Sequence, residues 1–206
     1  MSDGDGEIFL RGPAGRIEAL WKPSAREHAR AAAVVCHPHP LHGGTMYNKV
    51  AYRAGRALHA AGLSVLRFNF RGVGGSEGSF DGGRGERDDV TAMIDHLAET
   101  HDDILVAGFS FGAWVGLDVG MRDARVRRLV GLGLPANVFD FGYLQALAKP
   151  ALILHGDRDS WGSLDHVRAV AEAAHAELHV LDGADHFFEG HLDALMDVIT
   201  AFAART

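Results

Sequence analysis

Short apolar runs alternate with longer amphipathic stretches along most of the chain. Ala32–Cys36, Ser64–Phe70, Ile104–Phe109, Val126–Leu132, Ala151–Leu154 and Leu178–Leu181 read as buried strands. Between them, apolar positions recur at helical spacing over Asn48–Ala61, Arg87–Glu99, Phe111–Met121, Leu164–Ala174 and Leu192–Ala204. Upstream, Glu7–Leu10 and Ile17–Trp21 flank Gly12-Pro13-Ala14-Gly15, which predicts a hairpin. Strands that alternate with helices predict an α/β architecture of three layers, a mostly parallel central sheet with helices on both faces. Ligands of such sheets sit at the carboxyl ends of the strands, so chemistry is sought there.

With 206 residues the chain reads as a single domain, 1–206, large enough for a full core. Apolar residues make up 47% and charged residues 23%, the balance of a soluble globular protein. A formal net charge of −7 without a run of one sign argues against nucleic acid and anionic membranes as partners. No apolar run approaches the roughly 20 residues that span a bilayer. The start, MSDGDGEIF, carries no basic segment followed by an apolar one, so no signal peptide is expected. One cysteine, Cys36, excludes an intrachain disulfide and suits a reducing cytoplasm. Nothing in the pattern decides between a monomer and a homodimer.

The most informative residues are Gly108-Phe109-Ser110-Phe111-Gly112, a G-x-S-x-G pattern between an apolar strand and a helical stretch. In that context a serine sits on a sharp turn with its hydroxyl raised above the sheet, and the next N–H, that of Phe111, opens a helix. A glycine-flanked serine in an ordinary strand-to-helix turn is the plain alternative. A serine hydroxyl needs a base, and the base an orienting carboxylate. Both lie downstream at strand ends, in His155-Gly156-Asp157-Arg158-Asp159 and in Asp182-Gly183-Ala184-Asp185-His186-Phe187-Phe188.

These segments resemble the acid and base loops of the α/β-hydrolase superfamily. By position, the resemblance implies Ser110 as nucleophile, Asp159 as acid and His186 as base. Asp157 and Asp185 are rival carboxylates and His191 a rival base among 13 histidines. The strand Ala32–Cys36 leads into Cys36-His37-Pro38-His39-Pro40-Leu41-His42-Gly43-Gly44, which is similar to the H-P-H-P-x-x-G-G loop of small, lidless hydrolases described as esterases. That loop supplies the second oxyanion donor in the superfamily. Pro38 and Pro40 have no N–H, so His39 is the expected donor beside Phe111, with Leu41 as fallback. His37, His39 and His42 also suggest a metal trio, but no fourth ligand stands at a recognisable spacing. No metal and no cofactor are expected.

Asn69-Phe70-Arg71-Gly72-Val73-Gly74-Gly75-Ser76-Glu77-Gly78 resembles the superfamily's F-R-G-x-G-x-S-x-G loop, and a tie between loops through Arg71 is its expected job. Without G-K-[ST] it does not read as a phosphate cradle. Only Ala136–Lys149 separates two strands where relatives carry a lid, too short for a cap domain. The site is therefore expected to be open, with aromatics among Phe109, Phe111, Trp114, Phe139, Phe141, Tyr143, Trp161, Phe187 and Phe188 forming an acyl pocket. Phe109 and Trp114 read as core.

The implied activity is that of a serine carboxylesterase acting on a small ester, with a short acyl chain, through an acyl-enzyme. Thioesters, lactones and acyl-peptides would use the same machinery. Serine in place of cysteine weakens a dienelactone hydrolase-like activity, and Phe111 after the nucleophile weakens a perhydrolase one. The reading from another class is a non-catalytic binding protein on the same fold.

Overall fold

The computed structural model describes residues 6–205. The N-terminal segment on which the leaderless reading rests lies largely outside them. The strands are β1 (Gly6–Gly12), β2 (Gly15–Lys22), β3 (Ala31–Cys36), β4 (Ser64–Phe68), β5 (Asp103–Phe109), β6 (Val126–Leu132), β7 (Ala151–Gly156) and β8 (Glu177–Leu181). They form one eight-stranded sheet in the order β1-β2-β4-β3-β5-β6-β7-β8. The predicted hairpin β1–β2 is antiparallel and joins β4 antiparallel; every other pairing is parallel.

The helices are α1 (Lys49–Ala60), α2 (Arg84–Ala98), α3 (Phe111–Arg122), α4 (Leu164–Ala173) and α5 (Leu192–Ala203). Side chains alternate across each strand. Val34 and Val106 therefore pack with Met93, Ile94, Val115 and Val167 of α2, α3 and α4 on one face. Val35 and Leu105 pack with Val50, Leu58, Leu195 and Ile199 of α1 and α5 on the other. This is the predicted three-layer α/β arrangement, and no helix among the described residues is long and apolar enough to cross a membrane.

Two local features differ from the sequence-based expectation, the end of β4 and the start of α2. β4 stops at Phe68 rather than Phe70 because Asn69 makes the last bond to β2 and the N–H of Phe70 turns to a side chain. Asn69 N–H goes to Glu18 C=O (2.9 Å), and Phe70 N–H goes to His37 Nε2 (3.1 Å). Helix α2 begins at Arg84, a turn earlier than expected. Glu86 reaches back to accept from Asp81 N–H (3.0 Å) and Gly83 N–H (2.7 Å), which satisfies donors the helix start leaves open. Between β6 and β7, residues 133–150 hold one 3-10 turn, Gly142–Ala146, and no cap domain.

The loop after β4 is fastened from both sides. Arg71 forms a two-pronged pair with buried Asp89 of α2 (Nη2–Oδ1 2.7 Å, Nε–Oδ2 3.0 Å), and Asp89 also accepts the Arg71 N–H. Ser76 Oγ accepts from Glu18 N–H and donates to Asn69 C=O, while Glu18 Oε2 accepts from Asn69 Nδ2 and Gly75 N–H. The N-terminal hairpin thereby holds a loop at the carboxyl edge of the sheet.

Candidate active site

The sharp turn at Ser110 follows from what surrounds it. Ser110 is the residue before α3 and holds φ 56°, ψ −120°, a conformation that costs a non-glycine residue of order 1–3 kcal/mol. Tight packing enforces it. A Cβ on Gly108 would lie 2.2 Å from Gly112 C=O, and one on Gly112 would lie 2.4 Å from the carbonyl oxygens of both Cys36 and His37. Glycine at both places lets β5, α3 and the end of β3 close on one another.

His186 follows β8, and Asp159 follows β7. Ser110 Oγ donates to His186 Nε2 at 3.0 Å, and His186 Nδ1–H donates to Asp159 Oδ2 at 2.7 Å. Asp159 and His186 are buried. The other oxygen of Asp159 accepts from Trp161 N–H (2.8 Å) and Gly162 N–H (3.3 Å), so the carboxylate cannot rotate without losing partners. This arrangement can pass a proton from the serine to the imidazole and hold the resulting cation beside a carboxylate.

The rival residues have other partners. Exposed Asp157 accepts from Gly183 N–H (2.7 Å), and Asp185 accepts from Phe187 and Glu189 N–H groups (3.1 and 2.9 Å), each shaping its own loop. His191 precedes α5 with Nδ1 on Glu189 C=O. None of them is hydrogen-bonded to Ser110 or His186.

Reasoning from the sequence assigned no role to His155. Its fully buried ring donates from Nε2 to Gly162 C=O (2.8 Å), which leaves an Nδ1 with no hydrogen bond among the described residues, 3.7 Å from Asp159 Oδ2. Burial lowers its pKa below the ordinary imidazole value and keeps it neutral. Its place at the head of the H-G-x-x-D segment was the available signal.

In the His-Pro loop, His37 is buried and uses both ring nitrogens. Nε2 accepts the Phe70 N–H, so Nδ1 carries the proton and meets Pro38 C=O at 2.6 Å. Burial pushes its pKa down to about 4. His39 Nδ1 accepts the Leu41 N–H (3.2 Å), which commits the fallback donor. The backbone N–H groups of His39 and Phe111 have no partner among the described residues. The His39 ring packs against Phe80, Phe111 and a stacked His42. Burial, then His42, lowers its pKa. Cys36 faces the core, where burial raises its thiol pKa. Among the described residues no three His, Cys, Asp or Glu side chains gather as a metal set.

Ser110 and His186 open into a cavity of about 340 Å³ whose apolar wall includes Phe111, Pro135, Val138, Phe139, Trp161 and Phe187. The remaining aromatics of the expected pocket lie elsewhere. Phe109, Phe141 and Phe188 are buried in the core. Tyr143 hydrogen-bonds Trp114 C=O, and Trp114 stacks behind Phe139.

A parallel sheet wound in this order, with a strained serine between β5 and α3, defines the α/β-hydrolase class. Comparison agrees. Residues 29–193 match the family described as alpha/beta hydrolase domain, and the chain belongs to that family. It is 40% identical over 195 residues to an uncharacterized protein of Rickettsia prowazekii, covering 88% of this chain and 82% of that one. It is also similar to a solved alpha-beta serine hydrolase homologue from Coxiella burnetii (36% identity, TM-score 0.88, 98% and 97% of the two chains). A solved serine hydrolase without a lid from Xanthomonas campestris matches at 32% identity and TM-score 0.89, over 100% and 96%. By family the chain is an α/β serine hydrolase.

Proposed function

We propose that this protein hydrolyses carboxylic esters with short acyl chains through an acyl-enzyme on Ser110. The observation that carries the reading is the unbroken line Ser110–His186–Asp159, at 3.0 and 2.7 Å, opening into the apolar cavity. The Ser110 oxygen attacks the ester carbonyl while its proton passes to His186 Nε2. Asp159 holds the imidazole in the tautomer that accepts this proton and stabilises the cation. The carbonyl oxygen, now negative, takes hydrogen bonds from the Phe111 and His39 N–H groups, which have no partner among the described residues. Collapse breaks the C–O bond to the alcohol, which leaves with the proton from His186. Water then attacks the acyl-serine by the same route and frees the acid. No step calls for a metal or cofactor. A cytoplasmic setting fits the single buried, free cysteine.

The test is hydrolysis of p-nitrophenyl acetate, butyrate and octanoate by wild type and Ser110→Ala, with fluorophosphonate labelling alongside. Turnover and labelling are expected in the wild type, and neither in the variant. Activity retained by Ser110→Ala would remove the nucleophile. A wild type that neither labels nor turns over would favour a binding role.

A further inference from the structure

The two sides of the cavity differ. Opposite the apolar wall stand His39, His42 and Asn48, and the ring of His42 and the Nδ2 of Asn48 have no hydrogen-bond partner among the described residues. Asn48 spends its Oδ1 on the first N–H groups of α1 (2.9 Å to Val50), which turns its NH₂ outward as a donor. His39 spends Nδ1 as an acceptor, so its Nε2 carries the proton. His42 is exposed, is absent from the core, and stacks on His39 at 4.3 Å. The fold makes no visible use of these donors. Charge points the same way. The chain holds 27 Asp and Glu against 20 Lys and Arg, yet no carboxylate of the described residues lines this cavity; the ionisable residues among them are His39, His42 and His186. An anion would meet hydrogen-bond donors there, and no repelling group on the wall.

We infer that His42, with His39 and Asn48, forms a subsite for a carboxylate carried by the substrate, so that the preferred esters are acidic ones. The inference rests on the ester reading of Ser110 and adds the chemical class of the ester. One charge-assisted hydrogen bond in the subsite corresponds to a preference of roughly tenfold or more over a neutral isostere.

The probes are 3-acetoxybenzoate and its neutral isostere 3-acetoxybenzamide. In the wild type, kcat/KM is expected to favour the carboxylate about tenfold. In His42→Ala this ratio should fall most of the way to one, and His42→Gln, which keeps a donor, should restore part of it. Because the ratio compares two esters on one protein, a variant that merely loses some stability does not move it. Calorimetric titration of both probes into Ser110→Ala, with and without His42→Ala, reads the same preference as affinity without turnover. Ser110-dependent hydrolysis of both esters at equal rates would overturn the subsite and leave the esterase reading standing. A preference that survives His42→Ala would also overturn it. If neither ester turns over, the affinities in Ser110→Ala decide the subsite, equal values overturning it, and the esterase reading stands or falls with p-nitrophenyl acetate.

Discussion

Replacing Asp159 with asparagine tests the acid assignment through hydrogen-bond direction. Trp161 N–H and Gly162 N–H, at 2.8 and 3.3 Å, both point at Oδ1 and demand an acceptor there. The asparagine carbonyl must occupy that position, which puts its NH₂ where Oδ2 stood, 2.7 Å from His186 Nδ1. Two donors cannot share that line, so His186 gives up the Nδ1 proton and carries it on Nε2. The Nε2 that should take the serine proton is then already protonated, and the cation formed in the reaction has no carboxylate beside it. An inverted tautomer of this kind costs on the order of 10⁴ in kcat, about 5 kcal/mol of barrier. The packing around residue 159 is unchanged, and the new NH₂ lies near the unpartnered Nδ1 of His155, so the melting temperature should move by only a few degrees. Steady-state hydrolysis of p-nitrophenyl acetate by Asp159→Asn, Asp157→Asn and wild type decides the matter. Asp157 reaches only a backbone N–H, so its asparagine variant should stay within a few-fold. A kcat for Asp159→Asn within tenfold of wild type, or a larger loss at Asp157, would refute the reasoning.

The buried neutral His37 makes stability depend on pH. The folded imidazole titrates at about 4 and the unfolded one near 6.5. Between those values the unfolded chain holds more protons, so stability is fullest above about pH 6.5 and falls toward pH 4, by on the order of 3 kcal/mol for this group. Urea midpoints at about pH 7 and pH 5 should therefore diverge more in the wild type than in His37→Gln; equal slopes would remove His37 as the cause. Gly112→Ala drives a methyl group into the carbonyls of Cys36 and His37. We expect a loss of about 1–3 kcal/mol, together with most activity, since those carbonyls lead into the His39 loop; an active variant of native stability would contradict this. Asp89→Ala strands Arg71, whose side chain is only 11% exposed, and should cost about 3–5 kcal/mol in a denaturant titration; a loss below 1 kcal/mol would show that the pair is not load-carrying.

What the sequence could disclose was set by the range of the interactions involved. Alternation of Val34 and Val35 between two cores, and the helical spacing of Val50, Ala54 and Leu58, are local patterns, so the strands and helices were legible to within about three residues at their ends. The serine turn was legible because Gly108 and Gly112 are close-approach positions that only glycine fills. The end of β4 was not, because it depends on an imidazole from another loop taking the Phe70 N–H. The start of α2 depends on Glu86 reaching back across a turn, a signal present in the sequence but outweighed by the glycines around it. The pocket aromatics divided in the same way. Phe187 and Phe188 are neighbours, yet one lines the cavity and the other lies in the core.

The His-Pro loop carries this furthest. Three histidines within six residues are chemically identical in the sequence and read as a set, which is why a metal trio suggested itself. Their surroundings make them different. His37 sits at the buried end of β3, where desolvation keeps it neutral and both nitrogens serve the backbone. His39, one step beyond a proline, presents an uncommitted backbone N–H and wedges its ring between Phe80 and Phe111. His42 closes the 3-10 turn Pro40–His42 and lies over His39, exposed to solvent. Burial falls step by step along this short segment, so the first imidazole is suited to holding the loop. The second is placed to carry a backbone donor, and the third to meet whatever enters the cavity.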